Sequence, residues 1–233
     1  MIELRPFSKL GGADHGWLDT RHHFSFADYQ DTNRMNWGQM RVWNDDTIAP
    51  QTGFRTHPHK EMEIITYVRQ GAITHEDSLG NKGRTVAGDV QVMSAGTGIQ
   101  HSEYNLENEV TRIFQIWIFP NQTGLPPSWG VRPFPTKITN GKFVTLASGI
   151  DGDEEALRIR ADARLAAATL DISEQAEYSI ANGRKVYLVV ASGSVEVNGT
   201  LVGTGDGAAV QHESHLKFFA HQRSEVVLVD VAN

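Results

Sequence analysis

The chain has 233 residues, a formal charge of −7, ten histidines and no cysteine. That length holds one large or two small β domains and buries a core without staples, and the missing cysteine excludes disulfides, thiolate metal sites and cysteine nucleophiles. The negative charge argues against general nucleic-acid binding, which needs a basic surface to displace counterions. No apolar run approaches the roughly 18 residues of a membrane span, and Met1 to Phe7 lack the basic and apolar regions of a secretory signal. The expectation is a cytoplasmic, globular monomer that contacts neither nucleic acid nor membrane.

In chain order, His22 and His23 come first. Neighbours in an extended chain point to opposite faces, so at most one is expected to face the core. Asn44-Asp45-Asp46 reads as a polar turn. Trp17, Phe26, Trp37 and Trp43 are candidates to line a pocket for a flat aromatic ligand, with core packing the commoner role for any one of them. Met62 to Val68 reads as a strand. His75, next to Glu76-Asp77 and the turn Ser78-Leu79-Gly80-Asn81, is expected to be exposed. Arg112 to Phe119 reads as a buried strand. Pro120, Pro126, Pro127, Pro133 and Pro135 then mark a surface linker over 121–135, because proline cannot continue a central strand. Asp153 to Leu165 is open between a short helix and an irregular strand. Val186 to Val190 and Glu225 to Val231 are further strands. Short β-branched runs between glycine turns favour a sandwich or barrel over βαβ units.

The two halves read as weak repeats. Gly71-Ala72-Ile73-Thr74 followed by Gly88-Asp89-Val90 matches Gly193-Ser194-Val195-Glu196 followed by Gly205-Asp206-Gly207. Two steps in the first half carry chemistry: His57-Pro58-His59 and His101-Ser102-Glu103. In a strand, residues i and i+2 share a face, so each step aims two metal-binding groups at one point. Three imidazoles and a carboxylate suit a divalent transition metal and leave coordination positions open. Carrying the same offsets to the second half gives Ser179, Ala181, Phe218 and Ala220, none of which completes such a set. His212, His215 and His221 sit at other offsets and read as ordinary surface or hydrogen-bonding histidines.

The blocks Gly53-Phe54-Arg55-Thr56-His57-Pro58-His59-Lys60-Glu61-Met62-Glu63 and Ser94-Ala95-Gly96-Thr97-Gly98-Ile99-Gln100-His101-Ser102-Glu103-Tyr104-Asn105 resemble the two cupin motifs. They depart from the common pattern: Ser94 stands where proline is usual, the turn before His101 is longer, and Gly71 lies one residue late. With Asp14-His15-Gly16-Trp17-Leu18-Asp19, His23-Phe24-Ser25-Phe26-Ala27, His75-Glu76-Asp77-Ser78-Leu79-Gly80-Asn81 and Gln115-Ile116-Trp117-Ile118, the chain resembles the pirin family, in particular its bacterial quercetin dioxygenase-like members, over residues 14 to 120.

The resemblance implies an all-β bicupin of two β-barrel domains. On this reading residues 1–120 form a metal-bearing cupin, 121–135 a linker and 136–233 a cupin without metal ligands. It further implies one divalent metal held by His57, His59, His101 and Glu103, with Fe(II) first and Ni, Cu, Mn, Co or Zn as substitutes. The substrates it implies are a flavonol such as quercetin and dioxygen, with ring opening and release of carbon monoxide. Glu103 or Glu63 would take the substrate proton. The ordinary cupin pattern offers Glu63 as the ligand; the pirin resemblance favours Glu103 and leaves Glu63 as a support for a ligand imidazole. The alternative is a non-enzymatic, redox-sensitive regulator that acts on a protein partner.

Overall fold

The computed structural model describes residues 1–133 and 141–233. Residues 134 and 135 of the expected linker and the first five of the expected second domain lie outside them. The architecture is all-β: two halves, each built from a seven-stranded and a four-stranded sheet. In the first half the large sheet centres on Met40–Ile48, Glu63–Gln70 and Thr111–Ile118. The small sheet runs Thr52–His59, Ile99–Asn105, Ala72–Asp77, Lys82–Val86. The second half repeats this plan, with Ala163–Leu170, Lys185–Ser192 and Ser224–Val231 at the centre of its large sheet. Gln175–Ser179, His215–Ala220, Ser194–Val197 and Thr200–Gly203 form its small one.

The repeat is visible in one turn. Gly71 and Gly193 both take the left-handed conformation, with φ of 73° and 83°. Beside Gly71, Thr111 Oγ1 accepts from the Ala72 amide and donates to the Ala72 carbonyl (3.2 and 2.9 Å). Beside Gly193, Ser224 Oγ does the same for Ser194 (2.9 and 3.2 Å). A side chain on either glycine would run into that hydroxyl, and the positive φ disfavours one anyway. The equivalence makes Gln175–Ser179 the counterpart of Thr52–His59 and His215–Ala220 the counterpart of Ile99–Asn105 in sheet order. In the second barrel, Ala176, Phe218 and Ala220 fill the interior as part of an apolar cluster.

The two large sheets pack face to face. One buried cluster joins Trp43, Ile65 and Phe114 of the first to Leu165, Tyr187 and Val227 of the second. The Trp43 ring lies 5.3 Å from Phe114 and 5.7 Å from Tyr187. Full burial of such side chains stabilises by roughly 1.5–3 kcal/mol apiece, so the halves share one core. Both faces of the first large sheet are therefore covered. Met40–Ile48 is buried at seven of its nine positions, and Asn44-Asp45-Asp46 is its middle, not a turn. His22 and His23 are both buried for the same reason: His22 bonds Asn44 Oδ1 within the first half (3.0 Å), and His23 bonds Tyr187 across the seam (2.8 Å).

Two segments differ from the expected boundaries. Ile2–Arg5 pairs with Gly207–Val210, so the first strand of the chain covers an edge of the second half's large sheet. Ser128–Pro133, read as linker, pairs with Asp89–Ser94 as an edge strand of the first half. An edge is where proline is tolerated, because no neighbour needs its missing N–H. Asp153 to Leu165 contains no helix; a turn leads to the short strand Leu157–Arg158 and then into Ala163–Leu170. Among the described residues no helix is long and apolar enough to cross a membrane.

Candidate metal centre

Thr52–His59 is the edge strand of the small sheet, which accommodates Pro58 between the two histidines. Its partner Ile99–Asn105 places His101 opposite His57. The register slips by one residue between His101 and Glu103, with the extra residue on Thr52–His59 between Phe54 and His57. Ile99–Asn105 itself stays regular against Ala72–Asp77, so His101 and Glu103 keep a common face. The rings of His57, His59 and His101 lie 4.5–5.0 Å apart. One nitrogen from each falls within 4.8 Å of the others, a group that can hold a metal ion.

The donor chemistry fits a cation. His57 Nδ1 donates to the Arg55 carbonyl (2.7 Å), which leaves the lone pair on Nε2. That Nε2 lies 3.1 Å from His101 Nε2. Two imidazole nitrogens so close need a proton or a metal between them. Burial pushes the His59 pKa down to about 4. Burial and the neighbouring imidazoles depress His101 further. A proton is thus disfavoured, and neutral imidazole is the form that binds metal.

Glu103 is buried beside this group. Its carboxylate accepts from Gln91 Nε2 (2.6 Å), Gln115 Nε2 (2.7 Å) and Thr66 Oγ1 (3.1 Å). Burial nevertheless pushes its pKa up, with the hydrogen bonds from Thr66 and Gln115 opposing. Glu103 shares a second potential metal group with His75 and His101.

Glu63 does not join the centre. It begins Glu63–Gln70 in the large sheet, whereas His59 ends a strand of the small one, and Glu61 between them has a positive φ of 48°. The alternation of faces does not carry across that break. Glu63 shares its face with Ile65 and Tyr67, towards the second half, and its carboxylate accepts from Ser94 Oγ (2.6 Å) and the Arg160 amide (3.1 Å). It therefore supports no ligand imidazole.

A cavity of about 920 Å³ opens on His57 and His59, walled by Trp17, Phe26, Phe54 and Trp117. Of the four aromatics proposed as pocket walls, Trp17 and Phe26 line it. Trp43 is core, and Trp37 packs against the seam with its Nε1 donating to the Val186 carbonyl (3.0 Å). Trp117, 5.0 Å from the His59 ring, is a wall that the strand and the Gln115-Ile116-Trp117-Ile118 block do not by themselves announce. Its signal is alternation: Gln115, the one polar residue in Ile113 to Ile118, shares a strand face with Trp117. His75, expected to be exposed, is fully buried. It bonds Asp77 Oδ2 (3.0 Å), and its ring lies 5.3 Å from His101. Burial acts to raise the Asp77 pKa, but hydrogen bonds from His75, Asn81 and Leu79 hold it below its ordinary value.

The family model described as pirin matches residues 3–118, and that described as the quercetinase C-terminal cupin domain matches 145–231. The chain belongs to the pirin family. A Pseudomonas aeruginosa protein provisionally named as a quercetin 2,3-dioxygenase is 65% identical over 232 residues, covering 100% of both chains. The Escherichia coli K12 protein named quercetin 2,3-dioxygenase is 44% identical, covering 99% of both. Among solved structures, the bacterial pirin YhhW of Escherichia coli in complex with nickel(II) superposes with a TM-score of 0.93 at 42% identity, covering 100% of this chain and 99% of that one. Within the pirin frame, the clustered histidines lie in the half matched by the pirin model and the apolar barrel in the half matched by the quercetinase C-terminal cupin model.

Proposed function

We propose that this pirin is a metal-dependent dioxygenase that opens a flavonol such as quercetin with dioxygen and releases carbon monoxide. The observation that supports this best is the convergence of three imidazoles on an aromatic-walled cavity beside a buried carboxyl. The names of its relatives point the same way. His57, His59, His101 and Glu103 would hold one divalent metal, Fe(II) in the first instance. When bound, the metal supplies Lewis acidity towards a substrate hydroxyl and redox access to dioxygen.

The remaining work falls to the chain. Trp17, Phe26, Phe54 and Trp117 present the flat apolar walls that a polycyclic aromatic needs, and they exclude water from the reacting ring. The substrate hydroxyl gives its proton to Glu103, the buried carboxylate beside the imidazoles. Gln91, Gln115 and Thr66 keep that carboxylate in place when the proton arrives.

The test is aerobic incubation of metal-loaded protein with quercetin, following flavonol absorbance and carbon monoxide. Turnover that tracks metal content is the expected result. Absence of turnover with Fe, Ni, Cu, Mn and Co in turn would remove the enzymatic reading and leave the regulatory one.

A further inference from the structure

Three side chains behind the metal centre have no part in the function proposed above: His75, Asp77 and Trp129. His75 Nε2 lies 3.0 Å from Asp77 Oδ2, and its Nδ1 lies 3.4 Å from His101 Nδ1, at the long end of the hydrogen-bonding range. The Asp77 carboxylate also accepts from the amides of Leu79 and Asn81 and from Asn81 Nδ2 (2.9, 3.1 and 2.9 Å). A carboxylate surrounded by four N–H groups accepts from all of them, so His75 carries its proton on Nε2 and its lone pair on Nδ1. The hydrogen that satisfies the Nδ1–Nδ1 contact then belongs to His101. With Nδ1 protonated, the lone pair of His101 sits on Nε2, the atom that faces His57 Nε2 at 3.1 Å.

The imidazole of His75 is also clamped. The Trp129 ring stacks on it at 4.9 Å and 6°. Gly83, the register partner of His75, lies beneath the same indole, where a Cβ would run into it. Trp129 comes from Ser128–Pro133, beyond the residues matched by the pirin family model.

We propose that His75, oriented by Asp77 and clamped by Trp129, is a positioning residue that selects the metal-binding tautomer of His101. This rests on the metal-centre reading above. An outer partner of this kind fixes ring orientation and ligand basicity, and its loss costs typically 10- to 100-fold in metal affinity.

The experiment loads wild type and variants with Co(II). It measures metal per chain, the dissociation constant by chelator competition and the visible ligand-field spectrum. Isotope-labelled histidine NMR reads the tautomers. His75→Phe keeps a ring under Trp129 but removes the acceptor. It is expected to weaken Co(II) binding by about 10- to 100-fold and to shift the spectrum, with circular dichroism unchanged. His75→Asn puts an oxygen acceptor near the place of Nδ1 and should restore most of the affinity and the spectrum. Gly83→Ala, which touches no ligand, should give a smaller loss by displacing Trp129. Wild-type affinity and spectrum in His75→Phe would overturn the inference while leaving the metal centre standing. So would a His75 protonated on Nδ1. Two Co(II) per chain would place a second ion among His75, His101 and Glu103 and overturn it as well. A wild type that binds no Co(II) would overturn the metal-centre reading and this inference together.

Discussion

Glu103 and Glu63 are both buried carboxyls whose pKa burial raises, yet they face different neighbours. Glu103 sits two residues from His101 on the same strand, whose regular pairing with Ala72–Asp77 keeps both on one face. Glu63 is turned to Ser94 and Arg160. Glu103→Gln removes an anion from the centre and is expected to lower metal retention at least about 10-fold. Glu63→Gln should leave retention unchanged and instead cost about 1 kcal/mol of stability through its weakened hydrogen bonds. Metal per chain after dialysis against a chelator, with urea unfolding of the same samples, separates the two. Metal loss from Glu63→Gln with full retention in Glu103→Gln would restore the ordinary cupin ligand set.

At the scale of elements, the duplicated hairpin is the unit that both halves reuse. Gly71 and Gly193 combine a left-handed φ with backbone and hydroxyl neighbours that leave no room for Cβ. Gly80 has a similar φ of 87° but open space around it. Alanine at Gly80 therefore meets only the conformational penalty of about 1–2 kcal/mol. Alanine at Gly71 or Gly193 adds overpacking and should cost about 2–4 kcal/mol. Urea midpoints of the three variants check this ordering, and equal midpoints would remove the steric part of the argument. These turns were legible because glycine marks them. The strand Ser128–Pro133 was not, since Pro126, Pro127 and Pro133 read as a break, and only the edge position of the strand beside Asp89–Ser94 makes its single proline, Pro133, harmless.

Across the whole molecule, the seam between the large sheets turns surface-type residues into core. His23 bonds Tyr187 there, and burial, followed by the charges of Arg5 and Arg34, pushes its pKa down to about 3. Below the unfolded value of about 6.5 the unfolded chain binds a proton that the folded chain refuses. The contribution of His23 to stability is therefore flat above about 6.5 and is lost as pH falls, by up to about 1.4 kcal/mol per pH unit, until the folded pKa is reached. His23→Asn, with its side-chain amide near Nδ1 and no titration, should lose less stability than wild type between pH 6.5 and 4. Parallel slopes of unfolding free energy against pH for the two proteins would show that His23 is not held neutral.

Local pattern was enough for a first part of this picture. Alternation and glycine turns point to an all-β chain with two similar halves. The two i, i+2 steps put His57 with His59 and His101 with Glu103 because face-sharing within a strand is a short-range property, and the pairing of Thr52–His59 with Ile99–Asn105 joins the two steps. The direction of Glu63, the burial of His22, His23 and His75, and the place of Ile2–Arg5 depend on which sheet a strand joins and what packs on its far side. Those are contacts between residues far apart in the chain. Parity counted along the sequence fails where the chain passes from one sheet to the other. A face that looks solvent-bound in one half is covered by the other only once both have folded.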